Sequence, residues 1–101
     1  MAALKALVDD TKTKEKYVTL VDLGDYLQGG TIGTLSSGKM VIEIMNAMQY
    51  DIVTLGNHEF NYGIFELAQR IEEASFDIVL SNVRYSGKQK NIFEDVPEFI
   101  V

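Results

Sequence analysis

The chain has no cysteine, one proline and one histidine. Without cysteine, neither a disulfide framework nor a thiolate metal site can form, and the redox compartment is left open. No apolar run approaches the roughly 18 residues of a membrane span. The opening MAALKALVDD lacks the charged, apolar and small-residue segments of a signal peptide, so the chain by itself reads as soluble, with no membrane partner and no address. Basic charge is scarce as well: 9 lysines and arginines against 15 aspartates and glutamates leave a net charge of −6. That balance argues against a nucleic-acid polymer as partner, since such binders present a clustered basic face, and any phosphate chemistry would need a cation. What remains is an ordinary globular composition, 47% hydrophobic and 24% charged over 101 residues. It suits one domain with one core, too apolar for intrinsic disorder and able to bury about two-thirds of its unfolded surface.

Periodicity supplies the elements. Leu4, Leu7 and Val8 share a helical face ahead of the polar stretch DDTKTKEK. YVTLVDL, from Tyr17 to Leu23, is β-branched and nearly continuously apolar, which predicts a strand covered on both faces. The glycine-rich GDYLQGGTIGTLSSGK breaks structure. Helical spacing returns from Met40 to Gln49 with Val41, Ile44, Met45 and Met48 on one side, and DIVTL, from Asp51 to Leu55, predicts a second strand. Ile64, Leu67, Ala68 and Ile71 define another amphipathic helix, followed by a third strand at DIVLS, Asp77 to Ser81. The tail YSGKQKNIFEDVPEFIV reads as a polar loop and then a final strand. Strands alternating with helices imply right-handed βαβ crossovers and a parallel α/β sheet with flanking helices. YDIVTLGN and FDIVLSNV resemble each other, but recurrent buried-strand composition explains this better than duplication.

The ends of these strands carry the chemistry. VDLGD, VTLGN and VLSN each run from apolar residues into a carboxylate or carboxamide: Asp25, Asn57 and Asn82. In open parallel sheets, ligand sites lie beyond the carboxyl ends of the strands, so three polar groups converge on one edge. The only histidine, His58, stands there too. A carboxylate and a carboxamide oxygen are hard ligands and imidazole suits borderline metals, a set fitted to Mn²⁺, Zn²⁺, Fe or Mg²⁺. The histidine can instead stabilise or protonate a substrate oxygen. Gly24 and Gly56, just before the polar residues, allow the tight turns. Taken singly, Asp25 is a turn aspartate, Asn57 a left-handed turn residue and His58 a structural histidine. GD followed about 30 residues later by GNHE, each directly after a buried strand, favours function.

GDYLQGG and GNHEFNYG resemble the second and third signature blocks of the calcineurin-like metallophosphoesterases, in the branch of 5′-nucleotidases and 2′,3′-cyclic-nucleotide 2′-phosphodiesterases. The likeness continues through MVIEIMNAMQYDIVTLGNHEF and spans Tyr17 to Val83. It implies a part of the four-layer metallophosphoesterase sandwich, with Asp25 bridging two divalent metals, Asn57 binding the second, and His58 contacting the phosphoryl oxygen or assisting the leaving group. It also implies that Glu59 orients the loop rather than touching metal. Two cations would activate a water for in-line attack on phosphorus. The usual nucleotidase form GNHEFD pairs the histidine with an aspartate; here Asn61 takes that position, able to hydrogen-bond the imidazole but not to stabilise its cationic form. This variant tilts the expected substrate towards 2′,3′-cyclic nucleotides and 3′-nucleotides, and the family implies a parent that is extracellular, periplasmic or cell-wall associated.

The family's opening Asp-x-His block and its later histidine blocks are absent from the 101 residues. Residues 1–101 are therefore expected to be a partial catalytic domain, inactive alone, and associating through exposed sheet edges. The competing expectation is a non-catalytic α/β fragment or interaction module. A near-match to a phosphate-binding loop, GTLSSGKM from Gly33 to Met40, lacks the closing hydroxyl and begins too far from the strand exit, so it reads as chance. Met40, Met45 and Met48 read as core, Tyr62 as packing, and Asn82 as an orienting or turn-capping group.

Overall fold

A computed structural model of the chain describes residues 1–87 and 91–101. Residues 88–90, part of the expected polar loop, lie outside the described residues. Helix α1 (Ala2–Lys14) leads to strand β1 (Val21–Asp22), then helices α2 (Thr31–Leu35) and α3 (Lys39–Met48), strand β2 (Ile52–Thr54), a turn of 3₁₀ helix (His58–Tyr62), helix α4 (Ile64–Glu73) and strand β3 (Asp77–Val79).

The three strands form one parallel sheet in the order β1-β2-β3, with Val21 opposite Ile52 and Val53 flanked by Asp22 and Ile78. Each step to the next parallel strand is made through helix, as a parallel pair requires. The fold is thus the α/β arrangement that the alternating periodicity implies; among the described residues it contains one sheet.

Val53 at the sheet centre is buried with Leu55, Ile78 and Leu80, against Ile42 and Met45 of α3 and Leu67 of α4. Each long helix starts where glycine permits it. Gly38, at φ +81°, precedes α3, and Gly63, at φ +90°, precedes α4 and accepts a bond from the Leu67 amide at 3.1 Å. Asn46 ties the far ends of the two helices together. Its Nδ2 donates to the Glu73 carbonyl at 2.9 Å, while its Oδ1 accepts from the amide and hydroxyl of Ser75 at 2.8 and 2.9 Å.

The structure departs from the sequence-based expectations in four places. The apolar run from Tyr17 to Leu23 yields only two strand residues, and it is not covered on both faces: Tyr17 is 85% and Leu23 84% exposed. The physical reason is that, among the described residues, β1 is a sheet edge bonded to β2 alone. The glycine-rich stretch holds a short helix, α2, whose Gly33 is required because a Cβ there would stand 3.0 Å from the Leu27 carbonyl oxygen. The buried face of α3 is Ile42, Met45 and Met48, turned slightly from the expected one; Val41 and Ile44 are half-buried and Met40 is exposed. No final strand forms among the described residues of the tail. It makes a single antiparallel bridge, Arg84 with Asn91, and Leu80 donates its amide to the Pro97 carbonyl at 3.0 Å.

Candidate metal-binding edge

The polypeptide leaves β1 and β2 in the same direction, and the two exits touch. Gly24, at φ +103°, lies so close to Gly56 that a Cβ on it would stand 2.9 Å from the Gly56 Cα. A Cβ on Gly56 would in turn run into the Asp25 carboxylate, 2.8 Å from its Cγ. Both glycines are therefore demanded by close backbone approach. Asp25 itself is left-handed, at φ +63°, an unfavourable state for a residue with a side chain.

Polar contacts hold this arrangement. Asp25 Oδ1 accepts the His58 amide at 3.0 Å, and Asp22 Oδ1 accepts the Gly24 amide at 3.0 Å. Glu59, with no exposed surface, accepts three backbone amides: Asp25 at 2.6 Å, Leu27 at 3.0 Å and Gly56 at 2.7 Å. Its charge is felt nearby. The Tyr26 hydroxyl is pushed above its ordinary value of 10.0 by burial first, then by the negative charges of Glu59 and Asp22.

His58 Nδ1 lies 3.0 Å from Asn61 Nδ2, which also donates to Gln28 Oε1. A polar chain thus crosses from the first exit loop, through Gln28 and Asn61, to the imidazole. With the Asn61 NH₂ as donor in this contact, Nδ1 is the acceptor and the ring proton is assigned to Nε2.

Asp25, Asn57, His58 and Asn61 are all exposed at this one edge, as is Asn82. An open cleft of about 600 Å³ adjoins it, walled by Leu55, Phe60, Val83 and Ile92, with the carboxamides of Asn57 and Asn82 at its polar side. Gln28, within GDYLQGG, has no role legible in the sequence, since its partner Asn61 lies 33 residues away. The phosphate-loop near-match makes no cradle, since Gly33 sits inside α2 and the Gly38 amide donates to the Gly33 carbonyl at 2.9 Å.

A carboxylate and a carboxamide at the exits of adjacent strands suit a hard divalent cation, and both side chains are open to solvent to receive one. They fit part of a coordination shell. Among the described residues no three histidine, aspartate or glutamate side chains gather closely enough to hold a metal by themselves.

An α/β sheet that presents Asp, Asn and His together at its carboxyl edge belongs to the class of α/β proteins whose ligand sites lie beyond the strand ends. Comparison with known proteins makes the class specific. The sequence profile of the calcineurin-like phosphoesterases matches residues 1–98, and the chain belongs to that family. Members of the family use divalent metals.

Among relatives, the chain is 41% identical over 96 residues to a 2′,3′-cyclic-nucleotide 2′-phosphodiesterase/3′-nucleotidase of Haemophilus influenzae, covering 87% of this chain and 15% of that protein. It is 38% identical over 88 residues to a 5′-nucleotidase of Homo sapiens, covering 86% of this chain and 15% of that protein. In structure it resembles the calcineurin-like phosphoesterase YfkN of Bacillus subtilis with a TM-score of 0.68 and 36% identity, over 76% of this chain and 27% of that one. The chain thus spans about one-seventh of the length of the two sequence relatives.

Proposed function

We propose that this chain is the part of a metal-dependent phosphohydrolase that carries two of its signature segments, and that the parent cleaves nucleotide phosphoesters. Asp25 and Asn57 are the metal ligands, for two divalent cations of the Mn²⁺, Zn²⁺, Fe or Mg²⁺ type. Such cations, when bound, activate water and neutralise charge on the phosphoryl group. The remaining work falls to the chain's own residues. His58, held by Asn61 with Nε2 as donor, contacts a phosphoryl oxygen or assists the departing one. Gln28 steadies Asn61 from the opposite loop.

The observation that carries this reading is the bond from the His58 amide to Asp25 Oδ1, which locks the first segment's carboxylate against the second segment's histidine. The names of the relatives, together with Asn61 in place of an aspartate, favour 2′,3′-cyclic nucleotides and 3′-nucleotides alongside 5′-nucleotides as substrates. An extracellular, periplasmic or cell-wall location for the parent belongs to the same reading and rests on the family resemblance. Residues 1–101 act as a partial catalytic domain, inactive in isolation, whose β1 edge associates with another strand.

The second reading, a non-catalytic fold fragment, is favoured by one observation: no three histidine, aspartate or glutamate side chains gather among the described residues. Hydrolysis of bis(p-nitrophenyl) phosphate by this chain in Mn²⁺, beside His58→Ala, separates the cases when read with Mn²⁺ binding. Binding at Asp25 without turnover is the expected result. Turnover abolished in the variant makes the chain an enzyme as it stands, and neither binding nor turnover selects the non-catalytic reading.

A further inference from the structure

Glu59 is the buried carboxylate that the proposed chemistry does not use. It has no exposed surface, and among the described residues no lysine or arginine pairs with it. An unpaired buried charge is costly unless fixed dipoles replace its water. Here three backbone amides do so, and they come from both exits: Oε2 accepts from Asp25 and Gly56 together, and Oε1 accepts from Leu27.

We propose that Glu59 is a positioning residue whose carboxylate, seated in this nest of amides, sets the separation of the two exits and thereby the cation affinity of Asp25 and Asn57. The inference rests on the metal-binding reading above. Both oxygens of Glu59 are engaged by backbone, which keeps it from serving as a ligand. One of them joins the amide of Asp25 to that of Gly56, the residue preceding Asn57. The carboxylate also accepts the amide of Asp25, the left-handed residue of the first exit. Asp25 Oδ1 is then presented to His58.

The test is chemical rescue. Glu59→Ala removes the carboxylate and its adjoining methylene, and acetate supplies both. In amide-resolved NMR, the Asp25, Leu27 and Gly56 amides of Glu59→Ala are expected to exchange about tenfold faster or more, while Ile52 and Val53 in the sheet stay protected. Added acetate restores all three. Mn²⁺ broadening at Asp25 and Asn57 weakens by a similar factor in the variant and recovers with acetate, which leaves the wild type unchanged.

Wild-type exchange and wild-type Mn²⁺ response in Glu59→Ala would overturn the proposal, as would amides indifferent to acetate. Should Glu59→Ala fail to fold, Glu59→Gln keeps the shape but turns an NH₂ towards the amides. It must then deprotect at least one of the three; a spectrum matching wild type overturns the proposal, and so does failure of both variants to fold at any acetate level, which would make the role one of global folding. If Mn²⁺ broadens nothing at Asp25 in the wild type, the metal reading fails by itself, and the amide and acetate response still judges Glu59.

Discussion

Tyr26 follows Asp25 directly and shares its surroundings with two carboxylates, Glu59 and Asp22. Burial and those charges raise its hydroxyl above 10.0 in the folded chain. A group raised on folding contributes stability below its unfolded value and loses that contribution as pH climbs towards the folded one. Between neutrality and pH of about 10 the fold should therefore hold steady, and above about 10 it should weaken, because the unfolded tyrosine ionises first. Urea midpoints across pH 8 to 11 measure this as an alkaline limb, which Tyr26→Phe should flatten. A residue away, the constraint is steric. Gly56→Ala drives a methyl group into the Asp25 carboxylate, and an overpacked site of this kind costs about 1–3 kcal/mol, to be read from the same urea transitions.

Single residues also decide whether elements stay in place. Asn46, on α3, satisfies the Glu73 carbonyl and the Ser75 amide at the end of α4. Asn46→Ala leaves those groups without their partner, and about 1–3 kcal/mol of stability should go with it, with fraying of α4 visible as faster amide exchange near Ala74 and Ser75.

The strands most legible in the sequence were those whose apolar residues enter the core, Val53 of β2 and Ile78 of β3, whereas Val21 of β1 is exposed. β2 was expected from Asp51 to Leu55 and forms at its centre, because Val53 lies between strands on both sides and its apolar neighbours have core to enter. β1 was over-read for the opposite reason: apolar composition alone does not say that a strand is an edge. Helix α2 was missed because Gly29, Gly30 and Gly33 signal a break, and only the close pass of Leu27 explains a glycine inside a helix. The burial of Arg70 was equally hidden. It depends on Glu73, with Nε 3.1 Å from Oε2, and on the Ser36 carbonyl at 3.4 Å, a partner 34 residues away.

At the scale of the whole molecule, the grouping of polar residues at one edge was legible where the backbone did the positioning and illegible where side chains did. Asp25, Asn57 and His58 could be placed together from strand exits alone, since a parallel sheet sends its carboxyl ends one way. That Gln28 reaches Asn61 depends on loops 33 residues apart, and no spacing rule predicts it. The outer surface carries its own consequence. Val21 and Leu23 are exposed along an unpaired edge, with Leu35 and Phe65 exposed elsewhere. Unpaired parallel edges recruit strands, so the chain should gain mass with concentration in light scattering, and Val21→Lys with Leu23→Lys should reduce it to a monomer. A wild type that stays monomeric throughout contradicts the proposed association.

The central claim is that the exits of β1 and β2 hold a divalent cation. It is tested most directly by titrating Mn²⁺ into the isotopically labelled chain and following paramagnetic broadening residue by residue, in wild type and in Asp25→Asn. A net charge of −6 will attract Mn²⁺ weakly everywhere, so the pattern matters more than the binding. The account predicts that broadening begins at Asp25, Asn57 and His58 and that Asp25→Asn weakens it there about tenfold or more. Broadening spread over acidic residues elsewhere in the chain, unchanged in Asp25→Asn, would contradict it.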